Sequence, residues 1–233
     1  MSVNNVSAAE TNMRKSRIPF GLLAANLLSA LCSTVILTNT ARAEAAVSGV
    51  APTSEFVSEQ AAAGYFPLAS PATMADVFVD SGDWKVAQIA ARDLAADVER
   101  VTGRKPTLKQ TTSGLSENAV LVGTLGKSPV IDRLVKEGRL EVTDVQGQWE
   151  SFVIATVADP LPGVRRALVI AGSDRRGTAY GVYELSRRIG VSPWYWWADV
   201  TPAHRETLYV SPERLRGGPP AVKYRGIFIN DEM

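Results

Sequence analysis

The sequence predicts an α/β protein of α+β character built on a mixed sheet, and three observations predict it. From about residue 65 onward, short runs rich in β-branched residues alternate with stretches whose apolar residues recur at helical spacing, the pattern of a sheet covered by helices. The segment Gln146 to Ala171 breaks the alternation, because two strand patterns follow one another across a glycine-containing turn; that is a hairpin, and it makes the sheet mixed rather than wholly parallel. Beyond Val200 the composition shifts to a connector, and a new apolar strand pattern from Lys223 to Ile229 reads as the opening of a second domain.

Residues 1–43 read as an export signal. Arg14, Lys15 and Arg17 make a basic start, Ile18 to Leu37 is mostly apolar, and Ala41-Arg42-Ala43 has the small-x-small form of a cleavage site, so cleavage is expected after Ala43. The apolar stretch is nearly long enough to span a bilayer, but Asn26, Ser29, Ser33 and Thr34 interrupt it, and no stable membrane anchor is expected after signal cleavage. The expected destination is the periplasm or the medium. Loss of the leader removes four basic residues and one acid and takes the net charge from +1 to −2, which leaves no basic excess to attract nucleic acid. Cys32, the single cysteine, leaves with it, so the exported chain must be held by a packed core rather than a disulfide.

Residues 44–64, rich in Ala, Ser, Val and Glu without a sustained period, read as a linker, and the ordered domain is expected over 65–200. Ala75 to Asp80 alternates as a first strand. Trp84 to Val101 carries a helical stripe through Val86, Ile89, Ala90, Leu94, Val98 and Val101, stopped by Gly103 with Pro106 beyond. Asn118 to Val122 is a short buried strand, Ser128 to Glu137 a short helix closed by Gly138, and Trp149 to Val157 an alternating strand that turns back into the apolar run Ala167 to Ala171. Residues 201–221, with four prolines and two adjacent glycines, form an interdomain connector with one strand-like piece at Leu208 to Val210.

The chemical signals crowd into Ala167 to Val200. Ser173 or Asp174 can cap a helix whose stripe is Val182, Leu185 and Ile189, and Gly190 and Pro193 end it. Gly177 and Gly181, one turn apart, clear one face of this helix for close approach to a sheet; each lowers helix propensity by about 1 kcal/mol, which packing must offset. Arg175 and Arg176 stand in the first turn, where their charge opposes the helix dipole and asks for a carboxylate, Asp199 or a group in the following domain. The run Gly172 to Thr178 nearly spells a phosphate-binding loop but lacks its lysine, so no nucleotide is expected. Trp194, Trp196 and Trp197, three of the five tryptophans, form either a stacking platform for sugar rings or an anchor that docks this domain onto the next, and their place beside the connector favours docking. His204 is the only histidine; without a second histidine or a cysteine, neither a metal site nor a Ser-His-Asp triad is expected, and no cofactor is implied.

Asn230, Asp231 and Glu232 end the last strand pattern. They are either an ordinary polar strand terminus or, at the C-terminal tip of a barrel strand, part of an active-site lining. Neighbours along a strand face opposite sides, so at most two of the three can share a cavity unless the strand bulges.

Two long motifs, GSDRRGTAYGVYELSRRIGVSPWYWWADV from Gly172 to Val200 and VKYRGIFINDE from Val222 to Glu232, resemble the N-terminal part of the family 115 glycoside hydrolases, the xylan α-glucuronidases. The resemblance extends from about Phe66 onward and is looser in the middle. It implies an N-terminal α/β domain followed by the truncated start of a (β/α)8 barrel, whose first strand would be residues 222–233. It also implies an exported enzyme that removes α-1,2-linked 4-O-methyl-glucuronic acid from xylan with inversion, a reaction that asks for two carboxyls about 6.5 to 9.5 Å apart. Asn230, Asp231 and Glu232 match the family's first barrel strand and are implied to help bind the uronic acid of glucuronoxylan or its oligosaccharides. The catalytic acid and base stay unassigned, since the expected acid would lie farther along a barrel for which this chain has no residues. The expectation is therefore an N-terminal fragment of such a hydrolase, inactive by itself. The alternative is a non-catalytic carbohydrate-binding or docking domain that uses the Trp194 to Trp197 cluster.

Overall fold

A computed structural model describes residues 56–226; the expected signal at 1–43 and the tip Asn230-Asp231-Glu232 lie outside the described residues. In chain order the elements are β1 (Val57–Ser58), β2 (Phe66–Ala69), β3 (Asp76–Val79), α1 (Lys85–Thr102), β4 (Leu108–Lys109), β5 (Asn118–Thr124), α2 (Pro129–Lys136), β6 (Phe152–Leu161), β7 (Val164–Gly172), α3 (Arg175–Arg188), α4 (Tyr195–Ala198), β8 (Leu208–Val210) and β9 (Leu215–Gly217). The fold is α/β with mixed sheets.

The middle layer is a six-stranded sheet in the order β4-β3-β5-β7-β6-β9. β4, β3, β5 and β7 are parallel, with α1 between β3 and β4 and α2 between β5 and β6, whereas β6 pairs antiparallel with β7 and with β9. The expected hairpin is thus present, with Ile154 opposite Ile170. Side chains alternate across the strands. Val77, Val79, Val120, Val122, Leu168 and Ile170 join the core beneath α1 and α3, while Phe78, Ala119, Leu121, Ala167, Val169 and Ala171 join a second core with Ile131 and Leu134 of α2. A strand buried on both faces has no polar face to show, which is why β5 and β7 read as unbroken apolar runs.

The small residues of α3 set its distance from the sheet. A Cβ built on Gly177 would strike the backbone of Ser151, whose carbonyl carbon would lie 3.0 Å away, and one on Gly181 would lie 2.8 Å from Cγ2 of Ile170. Gly177 and Gly181 therefore bring the helix down onto the start of β6 and the middle of β7, as their spacing predicts, and Val182, Leu185 and Ile189 fill the core beneath.

Three boundaries differ from the sequence reading. The segment 44–64, read as a linker, contains β1, with Phe56 and Val57 buried. The segment 201–221, read as a connector, supplies β8, which lies between β1 and β2 in a separate three-stranded sheet, and β9, which extends the large sheet beyond β6. Strands of two or three residues are too short to show a period, and the partners of β1 lie some 150 positions along the chain. The strand expected from Lys223 to Ile229 does not form over its described part, Lys223 to Gly226, which no strand pairs.

Candidate functional site

The two motifs that carry the family resemblance meet at the first turn of α3. Asp174 is the N-cap: its Oδ1 accepts hydrogen bonds from Arg176 N at 2.9 Å and Gly177 N at 2.7 Å, and its Oδ2 accepts from Glu150 N at 2.8 Å. Ser173 adds a second tie to the start of β6, its Oγ accepting from Ser151 N at 3.0 Å. The N–H groups that a phosphate-binding loop would leave free are thus taken by a carboxylate of the chain itself.

Glu150 sits over this turn in the left-handed region, φ 49°, with its side chain 6% exposed. One oxygen pairs with Arg176 at 2.8 Å and the other with Arg225. Arg176 and Arg225 also both donate to the Tyr180 hydroxyl, at 3.0 and 3.3 Å, and the Arg225 guanidinium lies 5.9 Å from the Trp149 and Tyr180 rings. The hydrogen bond to Glu150 raises the Arg225 guanidinium above its ordinary value, so it stays charged. The carboxylate that Arg176 required is therefore Glu150, not Asp199. With both oxygens engaged by guanidinium groups, Glu150 fastens the segment after β9 to α3 rather than standing free as an acid or base. Arg175, the other first-turn cation, lies 6.0 Å from the ring of Trp84.

Trp194, Trp196 and Trp197 are 61%, 76% and 71% exposed, so this domain buries none of them. The structure also divides them. Trp194 and Trp197 are three residues apart on one turn, whereas Trp196 lines a pocket of about 390 Å³ with Asp93, Asp97 and Arg100 of α1, Tyr183 and Ser186 of α3, and Val191 to Tyr195. The ring of Trp196 meets Tyr195 edge to face at 5.1 Å, and the Arg100 guanidinium lies 4.9 Å from Tyr195 and 5.3 Å from Trp196. Arg100 is held by Asp97, Nη1 to Oδ1 at 2.5 Å, and the Tyr183 hydroxyl donates to Asp93 at 2.8 Å.

Burial pushes the Asp97 carboxyl above its ordinary value, and Ser186 and Arg100 pull it back. The Ser186 hydroxyl is near enough to Asp97 to favour the carboxylate, yet it makes no hydrogen bond of normal geometry. Burial first, and then the hydrogen bond to Asp93, push Tyr183 up to about 12. A phenol raised on folding stabilises the fold fully below its ordinary value near 10, and that contribution is lost as pH rises through about 12. In an ultraviolet titration Tyr183 should ionise well after a normal tyrosine, and this late phase should vanish in Tyr183→Phe; an unchanged curve in the variant would refute the assignment. The sequence reading missed Asp93, Asp97, Arg100, Tyr183 and Ser186. Their signal was present, since 93, 97 and 100 fall on one face of α1, but nothing local shows that α3 brings two more polar groups to that face.

A wider groove of about 610 Å³ lies at the turn between β6 and β7, lined by Glu117, Arg133, Glu137, Arg139, Asp159 and Arg165. Its charges largely pair with one another, Arg165 with Glu117 at 3.4 Å and Arg139 with Glu137 at 3.7 Å. His204 is exposed in the segment before β8, and among the described residues no three His, Cys, Asp or Glu side chains converge as a metal site.

No family model matches this sequence, and no curated protein matches it. Among solved structures the chain is similar to a family GH115 4-O-methyl-α-glucuronidase, BtGH115A, with specificity for decorated arabinogalactans. The two are 31% identical with a TM-score of 0.53, and the match covers 66% of this chain and 18% of that one.

Proposed function

We propose that this chain is the non-catalytic N-terminal domain of an exported GH115-type glycoside hydrolase that removes α-linked (4-O-methyl)-glucuronic acid from a plant polysaccharide. The observation that carries the reading is the 31% identity to a GH115 glucuronidase in a match that spans only 18% of that protein, a share suited to one domain of several. The Glu150 hub supports it, because Arg225 of the second motif and Arg176 of the first are joined through one buried carboxylate, which holds the exit of the domain in a defined place. In this reading residues 222–233 open a (β/α)8 barrel. Asn230, Asp231 and Glu232 contact the uronic acid at its first strand, the acid and base of the inverting reaction belong to the rest of the barrel, and residues 1–43 direct export.

The test has two parts. Genomic DNA beyond Met233 should continue as an open frame for several hundred codons, and the full product should release glucuronic acid from glucuronoxylan or decorated arabinogalactan. The purified 233-residue chain should release none from either. A stop codon directly after Met233 in the genome, or hydrolysis by the short chain alone, overturns the reading.

A further inference from the structure

We propose that the pocket between α1, α3 and Trp196 is a binding site for a neutral sugar ring. Sugar recognition joins an aromatic face, which covers the C–H side of the ring, to planar polar groups and hydroxyls that meet its equatorial hydroxyls. This pocket supplies both. Trp196, 76% exposed, is one wall, and Val191 and Pro193 add apolar surface. The polar side holds the carboxylates of Asp93 and Asp97, the Tyr183 hydroxyl and the Arg100 guanidinium.

Ser186 is the observation that separates a binding site from an ordinary polar cleft. The residue is only 3% exposed, it lines the pocket, and its hydroxyl, although close to Asp97, makes no hydrogen bond of normal geometry. A buried hydroxyl without a well-aligned partner is unfavourable, and a ligand hydroxyl would supply the alignment that Asp97 does not. The volume of about 390 Å³ admits one or two sugar rings.

Charge sets the class of sugar. Two carboxylates face the pocket, and its one cation is already engaged, Arg100 with Asp97 at 2.5 Å and against the rings of Tyr195 and Trp196. A uronic acid would bring a third negative charge to a site with no free cation among its lining residues, whereas a neutral ring gains acceptors for its hydroxyls without that repulsion. Ligands of this chemistry are the backbone or side-chain residues of a neutral polysaccharide such as a xylan or galactan. The inference does not rest on the GH115-type reading: a stop codon after Met233 would leave it standing, and failure of sugar binding would leave that reading standing.

The experiment is a titration of the 233-residue chain, followed by tryptophan fluorescence and calorimetry, with xylotriose, with a galactan trisaccharide and with free glucuronic acid. A single stacked ring gives weak affinity, with a Kd of about 1 mM. At least one neutral trisaccharide should bind saturably in that range, and glucuronic acid should bind at least about 10-fold more weakly. Trp196→Ala should weaken binding at least about 10-fold and Ser186→Ala a few-fold, while Trp194→Ala and Trp197→Ala leave it unchanged. Trp196 is exposed, so its variant should melt like the parent, which keeps the comparison free of folding effects. Absence of saturable binding by both neutral sugars, tighter binding of the uronic acid, or equal loss in Trp196→Ala and Trp197→Ala each overturns the proposal.

Discussion

Gly177→Ala should destabilise the domain by about 3 kcal/mol or more, although alanine is the better helix former by about 1 kcal/mol. The added methyl would meet the Ser151 backbone, not the movable end of a side chain. Relief requires α3 to lift from β6. Lifting would pull Val182, Leu185 and Ile189 out of the core and break the short contacts by which Asp174 and Ser173 hold Glu150 and Ser151. For a domain of this size each kcal/mol lowers the melting temperature by roughly 2–4 °C, so the loss should be on the order of 8 °C. Gly226→Ala, where a Cβ meets nothing within 4 Å, is the control and should melt like the parent. Equal melting of the two variants would show that α3 does not lie as close to β6 as described.

Asp174→Ala should cost about 2–3 kcal/mol, near or above the upper end for loss of a helix cap. A typical cap residue satisfies one or two N–H groups of its own helix. Asp174 accepts from Arg176 N and Gly177 N and also from Glu150 N on another element, and both Gly177 and Glu150 are buried. Removal would orphan three donors at once and take away one of the two carboxylates, with Glu150, that face the start of a helix beginning with two arginines. Asp174→Asn should lose less, because its carbonyl can still cap α3 while its NH2 faces Glu150 N. Hydrogen exchange should quicken at Gly177 and Glu150 together in the alanine variant. A destabilisation below about 0.5 kcal/mol, or faster exchange at Gly177 alone, would show that the cap does not couple α3 to β6.

These two residues also show what could be read from the chain. Gly177 and Gly181 announce a close approach by their spacing, and Ser173-Asp174 announces a cap by its place after a strand and before a helical stripe, although only the structure chooses Asp174; both are local patterns. The partner in each case was not legible. Ser151 and Glu150 lie more than 20 positions upstream, and they reach α3 only because β6 folds back along β7 in a register that sets Phe152 opposite Gly172. The same register explains why Glu150 rather than Asp199 answers Arg176. The tryptophans make the point in reverse. Their clustering was plain, but Trp196 lines a pocket with residues of α1 that neither Trp194 nor Trp197 lines.

The sequence by itself determined the α/β class, the hairpin, the places of α1, α2 and α3, the cap, the close-packing glycines and the resemblance to the GH115 hydrolases, because each rests on residues within a few turns of one another, where periodicity and backbone preference dominate the energy. Only the tertiary structure decided that β1, β8 and β9 belong to the domain, that one buried glutamate fastens Arg176 to Arg225, and that Trp196 shares a pocket with Asp97 and Ser186. Those pairings join segments tens of residues apart or more, and which of them forms depends on how all the apolar faces are buried at once, a quantity that no short window of sequence contains.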